Sequence, residues 1–234
     1  MSMQSLPSAY SALVLGASGT IGSAIAAALR HDPQCGTVIE AARGGKLVFD
    51  LTDQDSVAEL ASRLQSAAPF HLIVDATGAL TIDGCGPEKR LQDLDIGRLQ
   101  QSFLQNATGP IILFRHLLPL MPSSGRAIYA KLSARVGSIG DNRKGGWYGY
   151  RAGKAALNML FHTAAIEAGR GRRDLVIALL QPGTVPSRLS GPYIAGAQSI
   201  SPELSAQGML QAIDALPPAS GAHFIDWKGN PIAW

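Results

Sequence analysis

Short apolar runs alternate along this chain with stretches in which apolar residues recur at helical spacing. "ALVL" (12–15) precedes a small-residue helix predicted from about Thr20 to Arg30, and "TVIEAA" (37–42) and "KLVFD" (46–50) follow it. The next segment, "TDQDSVAELASRLQSA", opens with Thr52 and Asp55 in capping-box spacing and sets Val57, Leu60 and Leu64 on one helical face. Four more apolar runs come later: "FHLIVDA" (70–76), "RAIYAKL" (126–132), "DLVIALLQ" (174–181) and "AHFIDW" (222–227). Helices are predicted between them over about Ile96 to Leu120, 147–168 and 202–215. The strands are continuously apolar rather than alternating, which suits a parallel sheet covered on both faces. The pattern therefore predicts an α/β chain: a single doubly wound Rossmann-type domain over residues 1–234, with an about seven-stranded, mainly parallel sheet and helices on both faces. Residues 1–10 read as a flexible N-terminal tail, and no repeat or linker divides the rest.

Composition narrows the class. A chain of 234 residues with 46% hydrophobic and 16% charged residues can bury one full core, and its 26 glycines suit many tight turns. A net charge of +3 gives no footprint for nucleic acid, and the densest basic run, "GRGRR" (169–173), falls between a helix and a strand as a solvated turn. Cys35 and Cys85 lie far apart and the five histidines are scattered, so neither a disulfide framework nor a metal site is expected. No apolar run approaches the roughly 18 residues of a membrane span, and "MSMQSLPSAYSA" lacks the basic and apolar regions of a signal peptide. The expectation is a soluble, cytoplasmic protein that binds neither nucleic acid nor membrane.

In a doubly wound sheet, ligands sit beyond the carboxyl ends of the strands. After the first strand comes "GASGTIG", with Gly16, Gly19 and Gly22 three apart at a helix entry. Glycine lets backbone approach a pyrophosphate, and the helix start offers free N–H groups and a positive dipole end. Tight structural turns also collect glycine, so position after the first strand is what strengthens the reading. The second strand ends in "EAARGGK" (40–46), where an acid would bind ribose hydroxyls and an arginine would hold a 2′-phosphate. Arg43 stands just beyond the strand and Glu40 within it, which favours NADP(H) over NAD(H).

"GGWYGYRAGKAALNML" (145–160) holds two tyrosines and one lysine. Helical spacing sets Tyr150 beside Lys154, whereas Tyr148 has Ala152 at that distance. An ammonium near a phenol stabilises the phenolate and lowers its pKa, making a usable proton donor and acceptor. Taken alone, an exposed tyrosine–lysine pair is the commoner explanation of such a spacing. Within the preceding long helix, Pro110 has no N–H, so the Asn106 carbonyl loses its helical partner and could hold a water leading towards Lys154; a plain proline kink accounts for the same residues.

"GASGTIG", "NATG" (106–109), "YRAGK" (150–154) and "QPGTVPS" (181–187) stand in the order of the short-chain dehydrogenases/reductases, and the chain resembles that family over nearly its whole length. The run "LSARVGSIGDNRKGGWYGYRAGKAALNM" is especially similar to a bacterial subgroup of C-factor-like proteins. The resemblance implies Tyr150 as general acid/base, Lys154 also on the nicotinamide ribose, Asn106 in a proton relay, and a serine that orients the substrate carbonyl. Ungapped alignment puts Ala134 at the usual serine place, with Ser133 just before it and Ser138 further on; Ser133, at the strand end, is the favoured choice. Cofactor contacts are implied at Gly16, Ser18, Gly19, Thr20, Ile21, Gly22, Arg43, Asp50, Leu51, Ala76, Thr77 and Gly78. Tyr150, Lys154, Pro182, Gly183, Thr184 and Val185 complete that set. "DATG" (75–78) stands for the usual "NNAG", and Gly153 for the usual serine before the lysine.

The expected function is an NADP(H)-dependent oxidoreductase interconverting a carbonyl and an alcohol, the alternative being a dinucleotide-binding sensor with little turnover. Leu189, Tyr193 and Ile194 in the loop from Pro186 to Ile200 suggest a small, mainly apolar substrate. The 147–168 helix carries more apolar surface than one sheet-facing stripe needs, and with the neighbouring helix it predicts a homodimer or homotetramer.

Overall fold

The computed structural model describes residues 2–187, 190–193 and 198–234. Six parallel strands form one sheet in the order β2-β1-β3-β4-β5-β6. They are β1 (Tyr10–Leu15), β2 (Cys35–Ala41), β3 (Leu72–Asp75), β4 (Ala127–Leu132), β5 (Leu175–Gln181) and β6 (His223–Asp226). Between them run α1 (Thr20–Arg30), α2 (Gln54–Leu64), α3 (Ile96–Phe103), α4 (Gly109–Leu117), α5 (Tyr148–Gly169) and α6 (Pro202–Ala215). Every residue of β1, β3 and β4 is wholly or partly buried, because helices cover both faces of the sheet. On one face α2, α4 and α5 pack through Leu60, Leu113 and Phe161; on the other, α1 and α6 pack through Ile25 and Met209.

Three expectations need correction. The sheet has six strands among the described residues, because "KLVFD" is not one of them. That segment is held by a bond from Ala42 N–H to the Leu47 carbonyl, and it plugs Phe49 into the core while Val48 stays exposed. A short apolar run is equally compatible with an extended loop that supplies one core residue. The helix after it starts one residue late for the Thr52 capping box: Asp53 is the N-cap and its carboxylate accepts from Asp55 N–H, while the Thr52 hydroxyl turns back to Asp50. Finally, residues 2–10 are no flexible tail. Met3 and Leu6 are buried, and Asp32 and Asp214 accept the backbone N–H groups of Met3, Gln4 and Ser5.

The long helix predicted from Ile96 is interrupted where Pro110 removes a donor. Leu104–Thr108 forms a π turn between α3 and α4, with Gly109 N–H bonded to the Leu104 carbonyl. The turn carries Asn106, whose side chain bonds Ala79 in the segment beyond β3.

Candidate active site

The chain leaves β1 for β2 on one side of the sheet and returns to β3 on the other, so a crevice opens at the carboxyl ends of β1 and β3. Two contiguous hollows of about 320 and about 450 Å3 occupy it, sharing Gly19, Arg43 and the 76–79 segment. The first turn is tight because Gly16 adopts φ +72°, in the left-handed region. A Cβ on Gly22 would lie 2.3 Å from the Gly16 carbonyl oxygen, so only glycine lets α1 start this close to the strand end. Among the described residues no side chain caps α1, whose N-cap is Gly19, and Gly19 to Gly22 line the hollow.

At the end of β2, Arg43 is exposed and lines both hollows. Glu40 is engaged elsewhere, in an ion pair with Arg30. Asp50 lies beside the Arg43 end of the first hollow; the N–H and hydroxyl of Thr52, then the Arg43 charge, hold its carboxyl below the usual range.

The second hollow brings Ser133, Tyr150 and Lys154 together with Thr20, Ile21, Gly22 and Pro182. Lys154 is buried, donates to the Leu132 carbonyl at 3.1 Å and lies 5.7 Å from the centre of the Tyr150 ring. Burial, followed by the Lys131 charge, pushes its pKa down to about 7, with Asp75 opposing. The Tyr150 phenol is pushed up by burial to about 12, so the expected lowering is absent. Desolvation disfavours the phenolate more than an ammonium beside the ring, itself near half-charged at neutral pH, can favour it. The Ser133 hydroxyl donates to Asn158 Oδ1 at 2.7 Å. Ser138 is also buried, but its hydroxyl accepts from Asp141 N–H and it lines neither hollow.

Asn106 is fully buried and clamps the segment after β3: its Oδ1 accepts from Ala79 N–H and its Nδ2 donates to the Ala79 carbonyl. Of the predicted cofactor contacts, Gly183, Thr184 and Val185 line neither hollow, and Val185 is buried. The others lie along the crevice. Leu189 and Ile194 fall outside the described residues, while Tyr193 packs edge-on against Trp147 with ring centres 5.4 Å apart.

Sequence reasoning missed several supporting residues. Glu88 is buried and anchors the start of α5: its carboxylate accepts from Gly149 N–H and its carbonyl from Trp147 N–H. This fixes the residue preceding Tyr150, after Trp147 has turned through left-handed φ 54°. Asn158, one helical turn beyond Lys154, holds Ser133. Asp75 and Lys131 form a buried ion pair across β3 and β4, at 2.9 Å. Strand register could have found this last pair, since parallel pairing sets the two residues opposite each other.

The family model described as short chain dehydrogenase matches residues 34–195. The 1-hydroxy-2-glutathionyl-2-methyl-3-butene dehydrogenase of Rhodococcus sp. (strain AD45) is 30% identical over 79% of this chain and 78% of its own length. The C-signal protein of Myxococcus xanthus is 33% identical over 62% of this chain and 83% of its own. A short-chain dehydrogenase/reductase from Burkholderia multivorans, solved with bound NADP, superimposes with a TM-score of 0.82 at 25% identity, covering 96% of this chain and 99% of its own. With a family model matching more than half of the chain and a relative aligned over most of both chains, the chain belongs to the short-chain dehydrogenase family.

Proposed function

We propose that the protein is an NADP(H)-dependent oxidoreductase that interconverts a small, mainly apolar ketone or aldehyde with its alcohol. The observation that carries this reading is the meeting of Ser133, Tyr150 and Lys154 in the hollow that continues into the Gly16–Gly22 turn and Arg43. The residues present fit a 2′-phosphorylated dinucleotide. The uncapped start of α1 suits a pyrophosphate, Gly22 lets that start pack against the Gly16 carbonyl, and the cation beyond β2 is Arg43 while Glu40 is paired with Arg30. The neighbour from Burkholderia multivorans holds NADP, which supports the same choice.

A nicotinamide dinucleotide held by the Gly16–Gly22 turn and Arg43 would supply the hydride for the carbonyl carbon. Tyr150 gives its phenolic proton to the carbonyl oxygen as negative charge develops there, and takes it back in the direction of alcohol oxidation. Lys154, buried beside the Tyr150 ring with its pKa lowered to about 7, takes up and releases a proton near neutral pH and so resupplies the phenol. Ser133 faces the same hollow and orients the oxygen. Asn106 holds the segment that faces Lys154 and continues the proton path. Ile21, Leu80 and Leu132 give the second hollow its apolar lining beside Tyr150. Met159 and Ile166 on the outer side of α5 are 66% and 42% exposed, which supports pairing of this helix with a second copy in a homodimer or homotetramer.

One observation favours a second reading, a dinucleotide-binding sensor: the Ser133 proton is directed to Asn158, and Ala134 follows it. NADPH oxidation with a panel of aldehydes and ketones, and NADP reduction with the matching alcohols, tests both. Turnover supports the enzyme; NADPH binding without turnover across the panel supports the sensor.

A further inference from the structure

Asp75 and Lys131 are both fully buried, and Lys131 Nζ directs its bonds to one small target. It donates to Asp75 Oδ1 at 2.9 Å, to the Thr77 carbonyl at 2.7 Å and to Thr77 Oγ1 at 2.9 Å. Asp75 Oδ1 meanwhile accepts the Thr77 N–H and hydroxyl at 2.9 and 2.6 Å. Every polar group of Thr77 is thus tied to a charged partner. Thr77 and the next residue, Gly78, line both hollows of the crevice. A Cβ built on Gly78 would sit 3.3 Å from both Lys154 Nζ and Asn106 Oδ1, so this backbone is the surface on which the two side chains rest.

From this geometry we infer that the Asp75–Lys131 pair is a positioning element of the cofactor site, fixing the Thr77–Gly78 segment so that it receives the dinucleotide and seats Lys154. The inference rests on the reading of the crevice as a dinucleotide site. An ion pair serving the sheet alone would need only bonds between β3 and β4. Here two of the three donations from Lys131 leave the sheet for the residue that enters the crevice. Buried ion pairs are poor sources of net stability because desolvation offsets their attraction, so replacing both partners together need not harm the fold. Removal of one partner is harsher for Asp75 than for Lys131: without Lys131, the Asp75 carboxyl keeps the two Thr77 donors, whereas Lys131 without Asp75 is a buried charge that has lost its anion.

The test uses Lys131→Met and the double variant Asp75→Asn/Lys131→Met, with NADPH affinity read from fluorescence quenching and melting temperature read without cofactor. Loss of charge-assisted bonds to Thr77 predicts an NADPH Kd raised about tenfold or more in both variants, while the double variant melts within a few degrees of the parent. A double variant that binds NADPH as the parent does would overturn the inference. Failure of both variants to fold would assign the pair to the sheet and overturn it too. If the unmutated protein itself shows no affinity for NADPH, the functional reading fails, and this inference fails with it.

Discussion

Replacing Lys154 by methionine should make the cofactor-free protein more stable while removing its activity. The ammonium is buried, with 2% exposure, and its pKa falls from 10.5 to about 7. At about 1.4 kcal/mol per pKa unit, holding the charge there costs about 4–5 kcal/mol. Methionine keeps the aliphatic stem and removes that cost, and loses the bond to the Leu132 carbonyl, worth about 1–2 kcal/mol. A gain of about 3 kcal/mol remains, or roughly 6–12 °C in Tm for a domain of this size. The pH dependence has a definite sign. The folded protein holds this proton less tightly than the unfolded chain, so between about pH 7 and 10.5 the unfolded chain binds more protons and parent stability rises with pH. Below about pH 7 both states are protonated and the full cost applies. The advantage of Lys154→Met should therefore be largest near or below pH 7 and shrink as pH approaches 10. Thermal melts of both proteins across that range provide the assay. A variant that melts at or below the parent near pH 7, or an advantage that does not change with pH, would refute the reasoning.

Other expectations follow from the same geometry. Arg43→Ala should weaken NADPH far more than NADH, by up to ~3 kcal/mol for a charge-assisted contact to the 2′-phosphate; titration of both cofactors checks it, and equal losses would remove Arg43 from that role. Ser133→Ala should lower kcat by roughly one to three orders of magnitude if its hydroxyl orients the reacting oxygen, whereas Ser138→Ala, outside the crevice, should have the smaller effect on kcat. Steady-state kinetics of the two variants decides between the serines. Light scattering at micromolar concentration should report a dimer or tetramer, and a monomer would leave the exposed apolar side of α5 without the proposed partner.

Much of this architecture is legible in the sequence because local and global signals agree. The apolar runs that became β1 to β6 are long enough and flanked by clear helices, and α1 and α6 begin and end where their patterns do. "KLVFD" misleads because one buried phenylalanine in an extended loop has the same local signature as a strand. Met3 and Leu6 are unreadable for the opposite reason: their burial depends on Asp32 and Asp214 accepting nearby backbone N–H groups, and no period announces it. At the crevice, helical spacing places Tyr150 beside Lys154 but does not show their burial, which the resemblance to the family suggests and the fold supplies, and Gly16 to Gly22 stand out by their place after the first strand. Glu88 at the start of α5, and Lys131 opposite Asp75, are long-range partners that become evident only with the topology. The raised pKa of Tyr150 is not legible there, because spacing supplies the neighbouring charge and not the desolvation.

The proposed role of Tyr150 is to exchange the proton with the substrate oxygen. Tyr150→Phe removes only the phenolic oxygen and keeps the ring that packs against Trp147. Measured beside the parent with a carbonyl substrate and NADPH, this variant should bind NADPH with near-parent affinity and show no turnover. Turnover of the purified variant at the parent rate would contradict the account.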